Sequence, residues 1–354
     1  MQVKGCKVTG RYSRFPYDPA AGVITGPEQV VIEGATNDMI CGQFATHGTT
    51  NSVIGPGGLL YLAIGDGAAF TAPDGGQLGD NPCNDPPEYP GAFRCQNPNR
   101  YSGKILTVNP ISLEVQIYAT GFRNPWRMSM GQTRLYESET GWYTWEEINI
   151  IEQGKNYGWP CYEGPEAQID YQFMGNPVCQ WLQDTNSWVR PFVSYKHPPN
   201  AIGNVQSVSG VLEYGQFVYY GDYTQRLIRR VDLNGQNEQT VALGVSPVGI
   251  YNTPTGPIFV DYDTFSIRML PIADDVVLPT PSSSRLPPFV NIAMQQDSWA
   301  PAQGTLAYKA SSNVEGREGV QWYSNATLTF NCDANDNCDA YSIPTDHGTS
   351  LISI

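Results

Sequence analysis

The chain has 354 residues, including 36 glycines and 28 prolines, with 12% aromatic and only 15% charged residues. Disordered chains are poor in aromatic residues and rich in charge, and coiled coils need long blocks of Ala, Glu, Lys and Leu, so this composition excludes both classes. The net charge of −14 argues against nucleic-acid partners, which are bound mainly through Lys and Arg, and no apolar run is long enough to cross a membrane as a helix.

Short runs of alternating apolar and polar residues recur between turn clusters and predict strands. In chain order the predicted strands are 11–15, 29–33, 59–65, 104–109, 114–119, 134–138, 146–151, 207–214, 216–221, 226–233, 239–243, 257–262 and 267–270. Strands this short, with no helical stretch between them, predict an all-β sandwich, barrel or propeller. The stretches LLYLAIGD at 59–66 and QFVYYGD at 216–222 share one plan, which favours propeller blades of four strands.

The composition changes at 279–288, where the sequence reads PTPSSSRLPP. Pro and Ser at this density are typical of an extended, exposed spacer. We therefore predict a propeller over residues 1–275, a Pro/Ser linker over 276–288 and a partial β-sandwich-like module over 289–354.

The eight cysteines show no CxxC spacing, and only three histidines are present as further metal ligands, so disulfides explain them better than a zinc site. Proximity in sequence predicts three pairs and leaves two cysteines for each other: Cys83–Cys95, Cys161–Cys179, Cys332–Cys338, and then Cys6 with Cys41. Disulfides form in oxidising compartments, and Asn325 begins a glycosylation acceptor. We therefore predict a secreted, disulfide-bonded glycoprotein.

Five polar motifs follow one another in the first half of the chain: CGQFATHG at 41–48, IGDG at 64–67, GFRNPWR at 121–127, ESETGWYTWEEIN at 137–149 and GKNYGWPCYEG at 154–164. In this order and spacing they resemble the soluble quinoprotein glucose and sorbosone dehydrogenases. The resemblance extends from about residue 11 to about residue 270. It implies a six-bladed β-propeller that oxidises an aldose-type sugar by hydride transfer to pyrroloquinoline quinone, with calcium as a second cofactor.

The resemblance implies catalytic roles for three positions. His47 matches the general base that takes the proton of the sugar hydroxyl, Asp66 matches the carboxylate that orients this base, and Arg123 matches the cation that stabilises the reduced quinone. Each residue type also has a structural explanation. His47 and Asp66 could be turn residues that bond to the backbone, and Arg123 could form an ion pair with one of many carboxylates.

The same resemblance implies binding roles for the residues that follow Arg123. We expect Asn124, Thr140 and Glu146 to contact the quinone cofactor. Calcium would be held by the backbone carbonyls of Gly141 and Trp142, with Glu139 supplying negative charge nearby.

The chain also departs from the family pattern. Thr224, Ser246 and Val248 stand where the family has a lysine and two arginines that hold the carboxylates of the quinone. The predicted strands fill only about four blades at four strands each, so we expect the propeller to be incomplete at its N-terminus and the sequence to stop within the C-terminal module.

Two other functions stay open at this point. The first is a non-catalytic secreted propeller that binds carbohydrate or protein partners. The second is a calcium-dependent, lactonase-like hydrolase, which the motifs around His47 and Arg123 favour less than a dehydrogenase. The dehydrogenase interpretation implies a small-molecule sugar substrate, no nucleic acid and no membrane span.

Overall fold

The computed structural model describes residues 7–78, 81–198 and 206–272, together with short strands between 305 and 344. In chain order the strands are β1 (Val8–Thr9), β2 (Arg11–Arg14), β3 (Tyr17–Asp18), β4 (Val23–Ile24), β5 (Gln29–Glu33), β6 (Cys41–Gly42), β7 (Thr49–Ile54), β8 (Leu60–Ile64), β9 (Lys104–Val108), β10 (Val115–Thr120), β11 (Pro125–Met130), β12 (Leu135–Glu139), β13 (Trp145–Ile151), β14 (Tyr162–Glu163), β15 (Glu166–Ala167), β16 (Val193–Lys196), β17 (Val208–Tyr214), β18 (Phe217–Asp222), β19 (Leu227–Asp232), β20 (Gln239–Leu243), β21 (Pro247–Thr253), β22 (Gly256–Asp261), β23 (Ser266–Met269), β24 (Thr305–Leu306), β25 (Gln321–Tyr323), β26 (Thr327–Thr329), β27 (Asn331–Cys332), β28 (Cys338–Asp339) and β29 (Ile343–Pro344). The helices are α1 (Ile169–Gln172) and α2 (Pro177–Thr185), with 3-10 turns at Thr36–Asp38, Pro56–Gly58 and Gly91–Gln96.

The chain divides into two compact units, the first made of residues 1–14 and 29–209 and the second of residues 15–28 and 210–354. The first unit contains two antiparallel four-stranded sheets, in the orders β10-β9-β8-β7 and β11-β12-β13-β16. Four strands in this arrangement make one propeller blade. We call these sheets the first and the second blade.

The first blade is buried on both faces, which explains its nearly continuous apolar strands. In β8, Leu62 and Ile64 belong to one buried cluster, whereas Tyr61 and Ala63 belong to another. Successive side chains of a strand point to opposite faces, so both faces of this sheet are covered. The second cluster also contains Met128, Leu135 and Ile151 of the second blade. The two blades are therefore packed face to face.

The face of the second blade that carries Leu135 and Ile151 becomes acidic toward the other end of β12 and β13. Strands β12 and β13 pair so that Glu139 lies opposite Glu147 and Glu137 lies opposite Asn149. All four residues are buried. Buried carboxylates need hydrogen bonds or cations, so this register positions a polar site inside the blade.

Except for Val208 and Ser209 at the start of β17, the second unit contains a four-stranded sheet in the order β17-β18-β19-β20 and a three-stranded sheet in the order β21-β22-β23. Its core includes Tyr219, Ile228, Ile250 and Phe259. The all-β prediction of propeller type is confirmed, because the described chain consists mostly of such antiparallel sheets.

The prediction that no helix interrupts the strands is wrong for α2. Pro177 occupies the first turn of this helix, and the Asn176 side chain accepts a hydrogen bond from Val178 N (2.9 Å) as its N-cap. Cys179 and Leu182, three residues apart, face the core. The Asn-Pro start signal is therefore more informative here than the absence of a long amphipathic pattern.

The disulfide predictions are correct in one case and wrong in two. Cys161 and Cys179 are bonded as expected. Cys83 is bonded to Cys41 instead of Cys95, so the pairing of Cys6 with Cys41 is wrong as well. Cys41 lies in the short strand β6, and its Cα atom is 5.7 Å from that of Cys83. Cys95 is a buried free thiol whose Sγ lies 2.9 Å from the carbonyl oxygen of Trp159.

The predicted linker 276–288, the acceptor Asn325 and the side chains of Cys332 and Cys338 lie outside the described residues. Within the described ranges, no helix is both long enough and apolar enough to cross a membrane.

Candidate active site

His47 and Asp66 meet at one end of the first blade. His47 is two residues before β7 and Asp66 is two residues after β8. Because β7 and β8 are antiparallel neighbours, residues beyond these two ends lie side by side. A hydrogen bond from Gly67 N to His47 O (3.2 Å) continues the pairing. A Cβ at Gly65 would lie 2.4 Å from His47 O, so this position requires glycine.

The two side chains form a buried hydrogen bond, with 2.8 Å between His47 Nδ1 and Asp66 Oδ1. Asp66 also accepts hydrogen bonds from Ala68 N (3.0 Å) and Trp159 Nε1 (2.7 Å). Burial alone would raise the pKa of Asp66, but His47, the charge of Arg123 and the bond from Ala68 together lower it. An ionised carboxylate only accepts, so Nδ1 of His47 carries the proton.

The remaining nitrogen of His47 therefore has a lone pair. Within the described part of the chain, Nε2 of His47 has no hydrogen-bond partner. Burial and the charge of Arg123 lower the pKa of His47, and Asp66 only partly opposes them. The imidazole is consequently neutral at neutral pH and able to accept a proton at Nε2.

Arg123 is tied to the same site through backbone and side chain. Its carbonyl oxygen accepts a hydrogen bond from Asp66 N (2.8 Å). Its Nη1 donates to the carbonyls of Thr140 (2.8 Å) and Gly141 (2.7 Å), and the guanidinium lies 5.7 Å from the Trp159 ring centre. Among the described residues, the other guanidinium nitrogens have no hydrogen-bond partner, so donors remain for an anion. The structure thus brings His47, Asp66 and Arg123 together.

A buried ion pair that the sequence analysis missed supports the Asp66 turn. Arg94 Nη1 donates to the carbonyls of Asp66 and Gly67 (both 3.1 Å), and its Nη2 lies 2.5 Å from Asp85 Oδ2. Arg94 and Asp85 are both buried. The long polar loop at 74–87 was the available signal, because such loops are uncommon without a function.

The residues expected to contact the quinone have partners inside the protein. Asn124 N donates to Glu139 Oε1 (2.5 Å), whereas the buried Oδ1 of Asn124 has no partner. The carbonyl oxygen of Thr140 accepts a hydrogen bond from Arg123. The carboxylate of Glu146 is fully buried and accepts a hydrogen bond from His197 Nε2 (2.8 Å).

The expected calcium ligands lie near one another, and some of their atoms already take part in hydrogen bonds inside the protein. The carbonyl of Gly141 accepts the bond from Arg123, and the amide of Trp142 donates to Glu163 Oε1 (2.7 Å). Glu139 uses Oε1 for the amides of Arg123 and Asn124, while its buried Oε2 has no hydrogen-bond partner.

A cavity of about 10 Å³, enough for about one ordered water molecule, lies beside Glu139. Glu147, Asn149 and Glu163 also line it, and so does Arg123. Glu163 Oε2 and Asn149 Oδ1 are buried without a partner, like Glu139 Oε2. Oxygen atoms with unused lone pairs therefore surround a small buried space.

The carboxylates around this cavity repel one another. Burial, together with the nearby Glu163 and Glu146, raises the pKa of Glu147 to about 7. Burial and neighbouring carboxylates also raise the pKa values of Glu139 and Glu137 well above the ordinary range. A cation in the cavity would relieve this repulsion.

The described residues contain no group of three or more His, Cys, Asp or Glu side chains arranged to hold a metal ion on their own. Any cation in the cavity would also need amide, carbonyl or water oxygens. The sequence analysis missed Glu147, Asn149 and Glu163 as a group. Acidic and amide residues at alternate positions of two buried strands, Glu137/Glu139 and Glu147/Asn149, were the signal that could have found most of it.

Three comparisons show which known proteins this chain is similar to. Residues 39–248 match the family model described as glucose/sorbosone dehydrogenase. The HIPL1 protein of Arabidopsis thaliana is 33% identical over 201 residues, which cover 50% of this chain and 28% of the relative. The HIPL2 protein of the same plant is 30% identical over 160 residues, which cover 41% of this chain and 22% of the relative. The chain thus matches less than a third of either relative's length.

Among solved structures, the chain is similar to the pyrroloquinoline quinone-bound aldose sugar dehydrogenase of Streptomyces coelicolor, with a TM-score of 0.50 and 20% identity over 72% of this chain and 66% of that one. This likeness concerns the fold. The family model matches more than half of the chain. The chain therefore belongs to the glucose/sorbosone dehydrogenase family.

Proposed function

We propose that this chain carries the catalytic base of a sugar dehydrogenase, which oxidises an aldose by removing a proton and a hydride. The observation that carries the proposal is the state of His47. Its Nδ1 is fixed by Asp66, its Nε2 is unpartnered among the described residues, and its lowered pKa keeps it neutral. This is the arrangement that a general base requires.

In the proposed reaction, Nε2 of His47 takes the proton of the anomeric hydroxyl. The carbon–hydrogen bond at the same carbon breaks, its electron pair leaves as hydride, and a carbonyl group forms, so the product is a lactone. Asp66 stabilises the imidazolium through Nδ1–H, as in other His–carboxylate pairs. The chemistry that bound pyrroloquinoline quinone would supply is that of the hydride acceptor.

Arg123 suits the quinone part of that cofactor. Arg123 has donors left over beside His47, so it would stabilise negative charge on the reduced quinone. Thr224 Oγ1 donates to Asp222 and Ser246 N donates to Asp261, and neither side chain carries the positive charge that the family has at these positions. We therefore expect the quinone to bind, but weakly.

We also propose a calcium ion in the cavity beside Glu139. Calcium prefers six to eight oxygen ligands, including carboxylates, amide carbonyls and water. Glu139, Glu147, Glu163 and Asn149 present such oxygens, some of them unpartnered, and the acidic groups outnumber the single arginine, Arg123. The ion would neutralise these carboxylates and fix the Gly141 loop.

The test is reconstitution with pyrroloquinoline quinone and calcium, followed by dye-linked oxidation of a panel of aldoses. We expect sugar-dependent dye reduction in the wild type and its loss in His47→Gln, with Ile111→Ser at an exposed position as the control. If the quinone binds and no sugar of the panel is oxidised, the proposal fails.

A non-catalytic propeller that binds carbohydrate or protein is the second candidate. The uncharged residues at Thr224 and Ser246 favour it, because a tricarboxylate cofactor is held poorly without cations. Saturable sugar binding by calorimetry, with no absorbance change of added quinone, would favour this candidate over the dehydrogenase.

We further propose that the protein is secreted and glycosylated at Asn325. The disulfides Cys41–Cys83 and Cys161–Cys179 support secretion, because such bonds persist in oxidising compartments. Expression of the gene in its own cells, followed by glycopeptide mapping of the medium, tests both points.

A further inference from the structure

A second buried histidine–carboxylate pair lies in the second blade. His197 follows β16, and Glu146 lies in the neighbouring strand β13. His197 Nε2 and Glu146 Oε1 are 2.8 Å apart, and both side chains are almost completely buried. The backbone amide of His197 also donates to the carbonyl of Thr144 (2.8 Å), which fixes the histidine on both sides.

The second oxygen of Glu146 holds the loop that precedes β13. Glu146 Oε2 accepts hydrogen bonds from Gly141 N (3.3 Å) and Val208 N (2.9 Å). Thr140 Oγ1 donates to the carbonyl of Val208 (3.0 Å). The backbone of Thr140 and Gly141 is thus fixed through Glu146, and Glu146 is fixed by His197.

The carbonyls of Thr140 and Gly141 are the acceptors for Nη1 of Arg123. A continuous series of hydrogen bonds therefore runs from His197 through Glu146 and Gly141 to the guanidinium beside His47. We infer that His197 is a positioning residue that fixes Arg123 in the candidate active site by holding Glu146 against the Gly141 loop.

Loss of the imidazole would act through the carboxylate. Without His197, Glu146 Oε1 would lose a buried hydrogen bond, and the carboxylate would rotate away from the Gly141 loop to recover a donor. Gly141 N would lose its acceptor, and the loop carbonyls would release Arg123. Gln at position 197 could restore the donor, because its amide nitrogen can lie near the position of the imidazole Nε2.

The test uses the small number of histidines. The chain has three, so NMR of ring-labelled histidine can follow His47 by itself. The charge of Arg123 lowers the pKa of His47, and neither His197 nor Glu146 contributes directly. In His197→Ala we expect the His47 titration midpoint to rise, as in Arg123→Gln, and His197→Gln to restore it. The double variant His197→Ala/Arg123→Gln should shift no further than Arg123→Gln alone.

An unchanged His47 midpoint in folded His197→Ala would overturn the inference, and so would additive shifts in the double variant. If His197→Ala does not fold, Glu146→Gln provides the same comparison, because an amide cannot accept at both ends. A rise in the midpoint of Glu146→Gln supports the inference, and an unchanged midpoint overturns it.

The catalytic part of this inference rests on the proposed function, but the NMR measurement does not. With an active enzyme, we expect kcat/KM in His197→Ala to fall about tenfold, with the acid limb of its pH profile moved up and His197→Gln close to wild type. Without any activity, the proposed function fails while the His47 shift still decides the role of His197.

Discussion

Glu139 and Glu147 lie directly opposite each other on neighbouring strands, and both carboxylates are buried. Ionisation of both groups would place two like charges close together, which is unfavourable without a cation. This pair leads to the first prediction.

Calcium should stabilise the protein, and more strongly at pH 8 than at pH 5.5. The pKa of Glu147 is raised from its ordinary value of 4.5 to about 7, so between these values the folded state holds a proton that the unfolded state has lost. Stability without calcium must then fall as pH rises through this window. Bound calcium would displace this proton and reverse the loss of stability. Melting temperatures with calcium and with chelator test this, with Glu147→Gln as the variant. An equal effect of calcium at both pH values would contradict it.

Arg123→Gln should move the acid limb of kcat/KM to higher pH. Burial and Arg123 lower the pKa of His47, so the wild-type limb should lie below the usual histidine value of about 6.5. Removal of the guanidinium leaves Asp66, which raises the pKa of His47. The pH profiles of wild type and Arg123→Gln, measured at one ionic strength, provide the check. A limb that stays in place would show that Arg123 does not act on His47.

Cys95 should resist alkylation in the folded protein. It is a buried free thiol whose pKa burial raises well above the ordinary value, and the thiol is far less nucleophilic than the thiolate. Non-reducing peptide mapping should find Cys41 bonded to Cys83. Rapid labelling of Cys95 without denaturant, or a Cys83–Cys95 peptide, would contradict the structure.

Gly141→Ala should destabilise the protein by about 2 kcal/mol or more, because the backbone must move. A Cβ at Gly141 would lie 1.6 Å from the carbonyl oxygen of Trp145. Gly48 is the matched control, since a Cβ there meets nothing within 4 Å. Urea unfolding of both alanine variants measures the difference. Equal stabilities would show that the Gly141 loop is not packed as described.

Much of the fold could be predicted from the sequence, because strand patterns are local. The short apolar run LYLAI, bounded by turn residues, and the order of the motifs were enough for the all-β propeller class. Helix α2 was not predicted because its apolar face is short, with only Cys179 and Leu182 buried. The pairing of Cys41 with Cys83 depends on how distant segments meet, which sequence proximity does not show.

Some residues of the candidate site could be predicted from the sequence and others could not. His47, Asp66 and Arg123 could be named from their motifs, and they lie together in the structure. Glu163 could not, because its role comes from four successive amides, Trp142 to Trp145, that all donate to its Oε1. The partnership of His197 with Glu146 joins residues 51 positions apart and has no motif of its own.

The most direct test of the account is the single-turnover reduction of bound quinone by an aldose, in wild type and in His47→Gln. Proton removal by His47 should assist hydride loss, so we expect a slower reaction with deuterium at the anomeric carbon and a loss of about 100-fold or more in the variant. Circular dichroism and quinone titration would show that His47→Gln is folded and still binds the cofactor. Reduction of the quinone at the wild-type rate in His47→Gln would contradict the role of His47 as the base.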